Sequence, residues 1–128
     1  MALAIVRLGS PRRPDEGLRL GSVRRPPRGV PKEKFAALDF YDLWLPQLSP
    51  SAPLVAFGQR ATDEKSWRTF VRRFRAEMRA PDAARLLDAL AAFSHQTNFS
   101  LGCYCLEERR CHRLVLRELL AARGARIA

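Results

Sequence analysis

The stretch GCYCLEERRCHR, residues 102–113, gathers all three cysteines of a 128-residue chain with one histidine and three arginines. Thiolates are nucleophiles and soft metal ligands, imidazole moves protons near neutral pH, and guanidiniums grip phosphates and carboxylates. Four chemistries could draw on this set. A zinc site would use Cys103, Cys105, Cys111 and His112, but it would place two ligands on adjacent residues, unlike the spacings usual in zinc sites. A phosphate-type nucleophile requires a C-x5-R loop, and Cys103 and Arg109 have that spacing. Such loops hold phosphate with backbone N–H groups, however, and this one contains Glu107 and Glu108 and no glycine. A Cys105–Cys111 redox pair lacks the C-x-x-C spacing of helix-start dithiols. The fourth chemistry is a single activated thiol or an anion pocket. Cys111 beside Arg109, Arg110 and Arg113 at a helix start would have its thiol pKa lowered, into the range of about 3.5–7.5 seen in such surroundings. His112 would serve as base, acid or hydrogen-bond donor. The residues therefore nominate Cys111 and His112 as candidate catalytic groups and Cys103 and Arg113 as ligand-binding ones, with no metal and no cofactor. Against this stands plain burial, since unpaired cysteines are common core residues.

Positioning such a cluster takes a strand and a helix. FSLGCYCL (99–106) reads as a buried strand, on which Cys103 and Cys105 share a face. A last helix is expected from about Arg110 to Arg123, burying Val115, Leu116, Leu119 and Leu120 and closed by Gly124. In open α/β sheets, ligands bind beyond the carboxyl ends of strands, where helix N-termini offer free N–H groups. Upstream, LAIVRL (3–8) and LRLGSV (18–23) read as short strands, and RRPPRGVP (24–31) as a loop. The segment 32–45 is apolar enough for core but ambiguous between helix and strand, and PQLSPSAPL interrupts regular structure. The clearest helix starts at Thr62, read as its N-cap, with Asp63 and Glu64 in the first turn. Trp67, Phe70, Val71, Phe74 and Met78 form its buried face, and Arg68, Arg72, Arg75 and Arg79 a stripe beside it. Pro81 breaks the chain or opens the next element, a helix over about 82–95 with Leu86, Leu87, Leu90 and Phe93 as its apolar side.

The chain is long enough for one domain, residues 1–128, with a core that needs no staples. Its net charge is +10, with twenty arginines against three lysines. The excess concentrates in residues 1–30, 63–80 and 101–128, which would attract a small anionic ligand or nucleic acid. An arginine-rich, alanine- and leucine-rich composition is the compositional alternative, and arginines beside an apolar face often lie along it with their heads in water. No apolar run is long enough to span a bilayer, and the N-terminal residues do not have the make-up of a signal peptide, so a cytoplasmic protein with no membrane partner and reduced thiols is expected.

Taken together, SLGCYCLEERRCHRLVLRELL resembles the signature of the bacterial domain-of-unknown-function family numbered 488, in its YeaO-like branch. Cys103 and Cys111-His112-Arg113 match the family's strand-end cysteine and its Cys-His-Arg helix start. RRPPRGV resembles the family's Arg-x-Trp-Pro-Arg-Gly-Ile loop, matched at Arg24, Pro27, Arg28 and Gly29. LSPSAPLVAF and FVRRFRAEM resemble further family segments. The chain departs from the pattern at Val23, where an Asp is usual, at Pro26 in place of Trp, and at Cys105. The resemblance implies an α/β fold in three layers, a small sheet of mostly parallel strands flanked by helices. It also suggests that Arg24 and Arg28 converge with Cys103, Cys111, His112 and Arg113. The functional expectation is an anion pocket at 103–113, with a reactive thiol. The alternative is a basic nucleic-acid-binding module without catalysis.

Overall fold

The computed structural model describes residues 1–105 and 110–128. Four strands, β1 (Leu3–Arg7), β2 (Leu18–Gly21), β3 (Leu43–Trp44) and β4 (Phe99–Cys103), form one all-parallel sheet in the order β1-β4-β2-β3. Four helices accompany the strands: α1 (Ala52–Gln59), α2 (Glu64–Glu77), α3 (Pro81–Phe93) and α4 (His112–Ala122). The protein is thus an α/β fold, and no helix among the described residues is long and apolar enough to cross a membrane.

Alternation along the strands divides the sheet's two faces. Leu3, Leu20, Phe99 and Leu101 meet Leu54 of α1, Phe70 and Phe74 of α2, Leu87 and Leu90 of α3, and Val115, Leu116 and Leu120 of α4 in one core. Phe74, Leu116 and Leu120 are fully enclosed. The 3.6-residue spacing on α2 and α4 therefore does what it predicts. Trp67 is only partly buried, and Phe93 lies 55% exposed at the end of α3 instead of on its apolar side. Asp63, not Thr62, caps α2, because its carboxylate accepts from the Ser66 N–H at 2.7 Å. Pro81 starts α3, at a position where its missing N–H has no intrahelical partner to lose.

The opposite face is covered by irregular chain and a short 3-10 turn at Lys32–Lys34, with a small apolar cluster around Leu8 and Tyr41 and a buried polar network beside it. Arg19 of β2 is completely buried. Its Nε and Nη2 donate to Glu16 Oε2 and Oε1 at 2.7 and 3.0 Å, and its Nη1 donates to the Ser10 and Asp39 carbonyls, both at 2.7 Å. Ser100 of β4 donates to Glu16 Oε2 at 2.7 Å. Burial alone would raise the Glu16 pKa, but these bonds and the guanidinium charge hold it down to about 2. A buried ion pair, satisfied on nearly every side, thus joins two loops to the sheet.

The segment 32–45 turns out to be neither a helix nor a long strand: it makes the 3-10 turn and then the two-residue β3. From it Tyr41 lies on Gly21, where any Cβ would come within 2.5 Å of the Tyr41 ring. Helix α1 lies where the prolines of PQLSPSAPL suggested only interruption. Pro53 sits in its first turn, and Ser51 donates through its backbone N–H and its hydroxyl to the Glu77 carboxylate at 2.8 and 2.5 Å. That ties the start of α1 to the end of α2.

Candidate functional site

Strand β4 is buried along its whole length and ends at Cys103. Helix α4 begins at His112, with Cys111 as its N-cap in extended conformation (φ −130°, ψ 144°). The strand end and the helix start face each other, so Cys103 and Cys111, each 1% exposed, meet in a small cluster with Leu8, Val23 and Tyr41. Their sulfurs are in close contact across a Cα–Cα separation of 7.8 Å, wider than the span over which disulfides close, and Cys105 is exposed and stands apart from them. The thiol that Cys111 approaches is thus Cys103 and not Cys105. Burial and approach decide the pairing: Cys105 lies past the end of the strand, whereas Cys103 is its last residue and sits under the helix start.

His112 is fixed from two sides. Its Nε2–H donates to the Ser22 carbonyl at 2.6 Å, and Phe74 meets its ring edge to face with centroids 5.6 Å apart. Its Nδ1 then faces Cys111 Sγ at 3.9 Å. Burial, with a smaller push from the Arg113 charge, lowers the imidazole pKa to about 4 against the opposing pull of the Ser22 carbonyl. At neutral pH the ring is uncharged, with a lone pair on Nδ1. Ser22 itself comes directly after β2 and donates through its hydroxyl to the Gly102 carbonyl at 2.9 Å, so the histidine's anchor is part of the sheet.

Above this floor opens a cleft of about 710 Å³. One wall is the Pro-Gly loop with Arg24, Arg25 and Arg28, and another is α1 through Val55 and Ala56. Trp67 and Phe70, stacked at 4.8 Å, form part of the lining, and Cys103, Cys105, Cys111, His112 and Arg110 complete it. Arg24 is braced by donating to the Pro50 and Ser49 carbonyls at 3.0 and 3.2 Å, and Tyr104 donates to the Arg25 carbonyl at 3.0 Å. Arg28 is exposed at the rim. The geometry therefore brings Cys103, Cys111, His112, Arg24 and Arg28 to one cleft.

It does not bring Arg113 there. That side chain is 6% exposed and donates to the Val6 carbonyl of β1 at 3.2 Å, and its Nε has no partner among the described residues. One residue along a helix turns a side chain by about 100°, so His112 facing the cleft sends Arg113 under the sheet edge. Glu107, Glu108 and Arg109, and with them the C-x5-R reading, lie outside the described residues. Arg25 and Tyr104 are cleft residues that sequence reasoning did not single out, and Trp67, read only as core, also lines the cleft. Arg25 lies next to Arg24 in the same loop, and that adjacency was the available signal.

Comparison with curated proteins finds no match, and comparison with solved structures finds none. The family model described as "Active DUF488-N3 subclade" matches residues 3–124, which include both walls of the cleft, its thiol floor and all four strands, and the chain accordingly belongs to the DUF488 family.

Proposed function

We propose that the cleft binds a small molecule bearing phosphate or carboxylate groups, with Cys111 and His112 presenting the reactive atoms at its floor. The observation that carries this reading is the convergence of Arg24, Arg25, Arg28 and Arg110 on one cleft whose floor holds the sulfurs and an uncharged imidazole. Charge-assisted hydrogen bonds to an anion contribute about 1.5–3 kcal/mol each, so a single rim arginine is worth roughly tenfold or more in affinity. The Trp67 and Phe70 faces give the apolar part of such a ligand a surface to lie on. The matching subclade is described as active, which accords with a working site more than with a structural cluster.

Calorimetric titration with inorganic phosphate tests it. Arg28→Ala should weaken binding ~10-fold or more. Arg75→Ala, on the α2 stripe and paired with Glu118 at 2.5 Å, should leave it unchanged. Equal losses would mean a diffuse basic surface, as a nucleic-acid-binding module has, and no loss from either would mean that the cleft arginines are solvated bystanders.

A further inference from the structure

We propose that the reduced forms of Cys103 and Cys111, together with His112, make a three-ligand zinc centre at the floor of the cleft, with its fourth position open to the cleft. The ligand atoms of these three residues all lie within 4.8 Å of one another, close enough for one ion to touch all three. They come from two elements, the end of β4 and the start of α4, and both elements are held by the core.

Adjacent residues such as Cys111 and His112 seldom ligate one ion, because within a regular element their side chains diverge. Here the backbone removes that objection. Cys111 is extended as the N-cap and His112 is the first helical residue, so the chain turns between them and both side chains reach the same point. The four-ligand set with Cys105 is not formed, because that thiol is exposed and outside the trio.

Three further observations support an ion here. A ligating histidine characteristically donates its other ring N–H to a carbonyl or carboxylate, which fixes the tautomer. His112 does so, with Nε2–H on the Ser22 carbonyl at 2.6 Å and Nδ1 turned toward Cys111. The Cα–Cα separation of 7.8 Å is wider than the roughly 4.4–6.8 Å over which disulfides usually close, so the backbone brings the two thiols to one point without the span of an unstrained bridge. Both sulfurs are buried, so two thiolates need a compensating charge, and a divalent cation supplies it without leaving a net charge. Two thiolates and an imidazole are the soft and borderline donors that select zinc.

The binding step is a simple exchange. Two S–H bonds break, two zinc–sulfur bonds form, two protons pass to solvent, and no electron moves. The disulfide form has no thiolate to offer and binds nothing. An open fourth position is the arrangement of catalytic zinc sites, and the arginine rim would direct an anionic group toward it. The proposal rests on the cleft assigned above, but its failure and that of the anion reading are separable. Arg28→Ala should alter phosphate binding and leave metal binding intact, and Cys103→Ser should reduce metal binding in protein whose arginine rim is unchanged.

The test uses the full chain, reduced and freed of metal, then titrated with Co²⁺ and Zn²⁺. One equivalent of Co²⁺ should produce thiolate-to-cobalt charge-transfer bands, and Zn²⁺ should displace it and protect two of the three thiols from a thiol reagent. Cys103→Ser and Cys111→Ser should each weaken binding by more than the ~10–100-fold that losing an outer partner costs. Cys105→Ser should bind as the unaltered chain does. X-ray absorption of the zinc-loaded chain, which needs no variant to fold, should show two sulfurs and one imidazole nitrogen bound directly to the metal. Absent charge-transfer bands, a metal surrounded by oxygen and nitrogen only, or equal binding by Cys103→Ser and the unaltered chain would overturn the proposal.

Discussion

Removing the charge of Glu16 probes how a buried guanidinium is tolerated inside this sheet. Glu16→Gln keeps the shape of the side chain but leaves Arg19, fully buried, as an uncompensated charge. The cost can be reached by two routes. The carboxyl is held at about 2 against an ordinary 4.5, a shift of some 2.5 units, and at roughly 1.4 kcal/mol per unit that amounts to about 3 kcal/mol. Breaking buried ion pairs elsewhere costs about 3–5 kcal/mol, which agrees. For a chain of this length the unfolding entropy scales to about 0.27 kcal/mol per degree, so the melting temperature should fall by about 11 °C. The pH dependence carries the sharper test. Because the folded-state pKa lies below the unfolded one, the Glu16 contribution is complete above pH 4.5 and is lost as pH falls toward 2. Urea denaturation at pH 7 should therefore separate the two proteins by about 3 kcal/mol, and the gap should close between pH 4.5 and 2. A gap below ~1 kcal/mol at pH 7, or one that stays constant down to pH 2, would show that the pair does not hold this face of the sheet.

Phe74→Ala removes a side chain with no exposed surface from the centre of the core and should cost about 3–5 kcal/mol by chemical denaturation. It should also loosen the His112 ring, which Phe74 meets edge to face, and that would appear as a shift of the imidazole proton resonances. Glu77→Ala cuts both hydrogen bonds that anchor the start of α1, so amide exchange across Ala52–Gln59 should accelerate by ~10-fold or more while the strands stay protected.

The parts of this fold that are legible in the sequence are those where an apolar period recurs over several turns. Helices α2 and α4 show such a period, and β4 is a short, uncharged run buried on both faces, as parallel strands are. Helix α1 is hidden because it is eight residues long, with Leu54 its one fully buried side chain, and it comes after a run of prolines. Segment 32–45 is ambiguous because its apolar residues serve different neighbours: Tyr41 lies on Gly21, whereas Leu43 and Trp44 form an exposed edge strand. The site divides along the same line. That Cys103, Cys111 and His112 lie close together is expected of a strand and a helix that follow one another closely along the chain. The position of Arg113 depends on which way α4 is rotated, and the burial of Arg19 on loops that close over the sheet from a distance. Neither is a local property of the chain.

The order β1-β4-β2-β3 also governs how this chain can acquire its structure. β4 is the last strand along the chain, yet it lies between the first two and hydrogen-bonds to both. Until residues 99–103 exist and find their place, β1 and β2 have no common neighbour, and the residues between β2 and β4 form a loop that must close before any of that pairing is rewarded. The cleft inherits this dependence, since its floor is the end of the strand that arrives last. The joining of β1 to the β2–β3 pair and the assembly of the cleft floor are therefore one late event, and a nascent chain cut before residue 99 holds β1 and β2 without the strand that joins them.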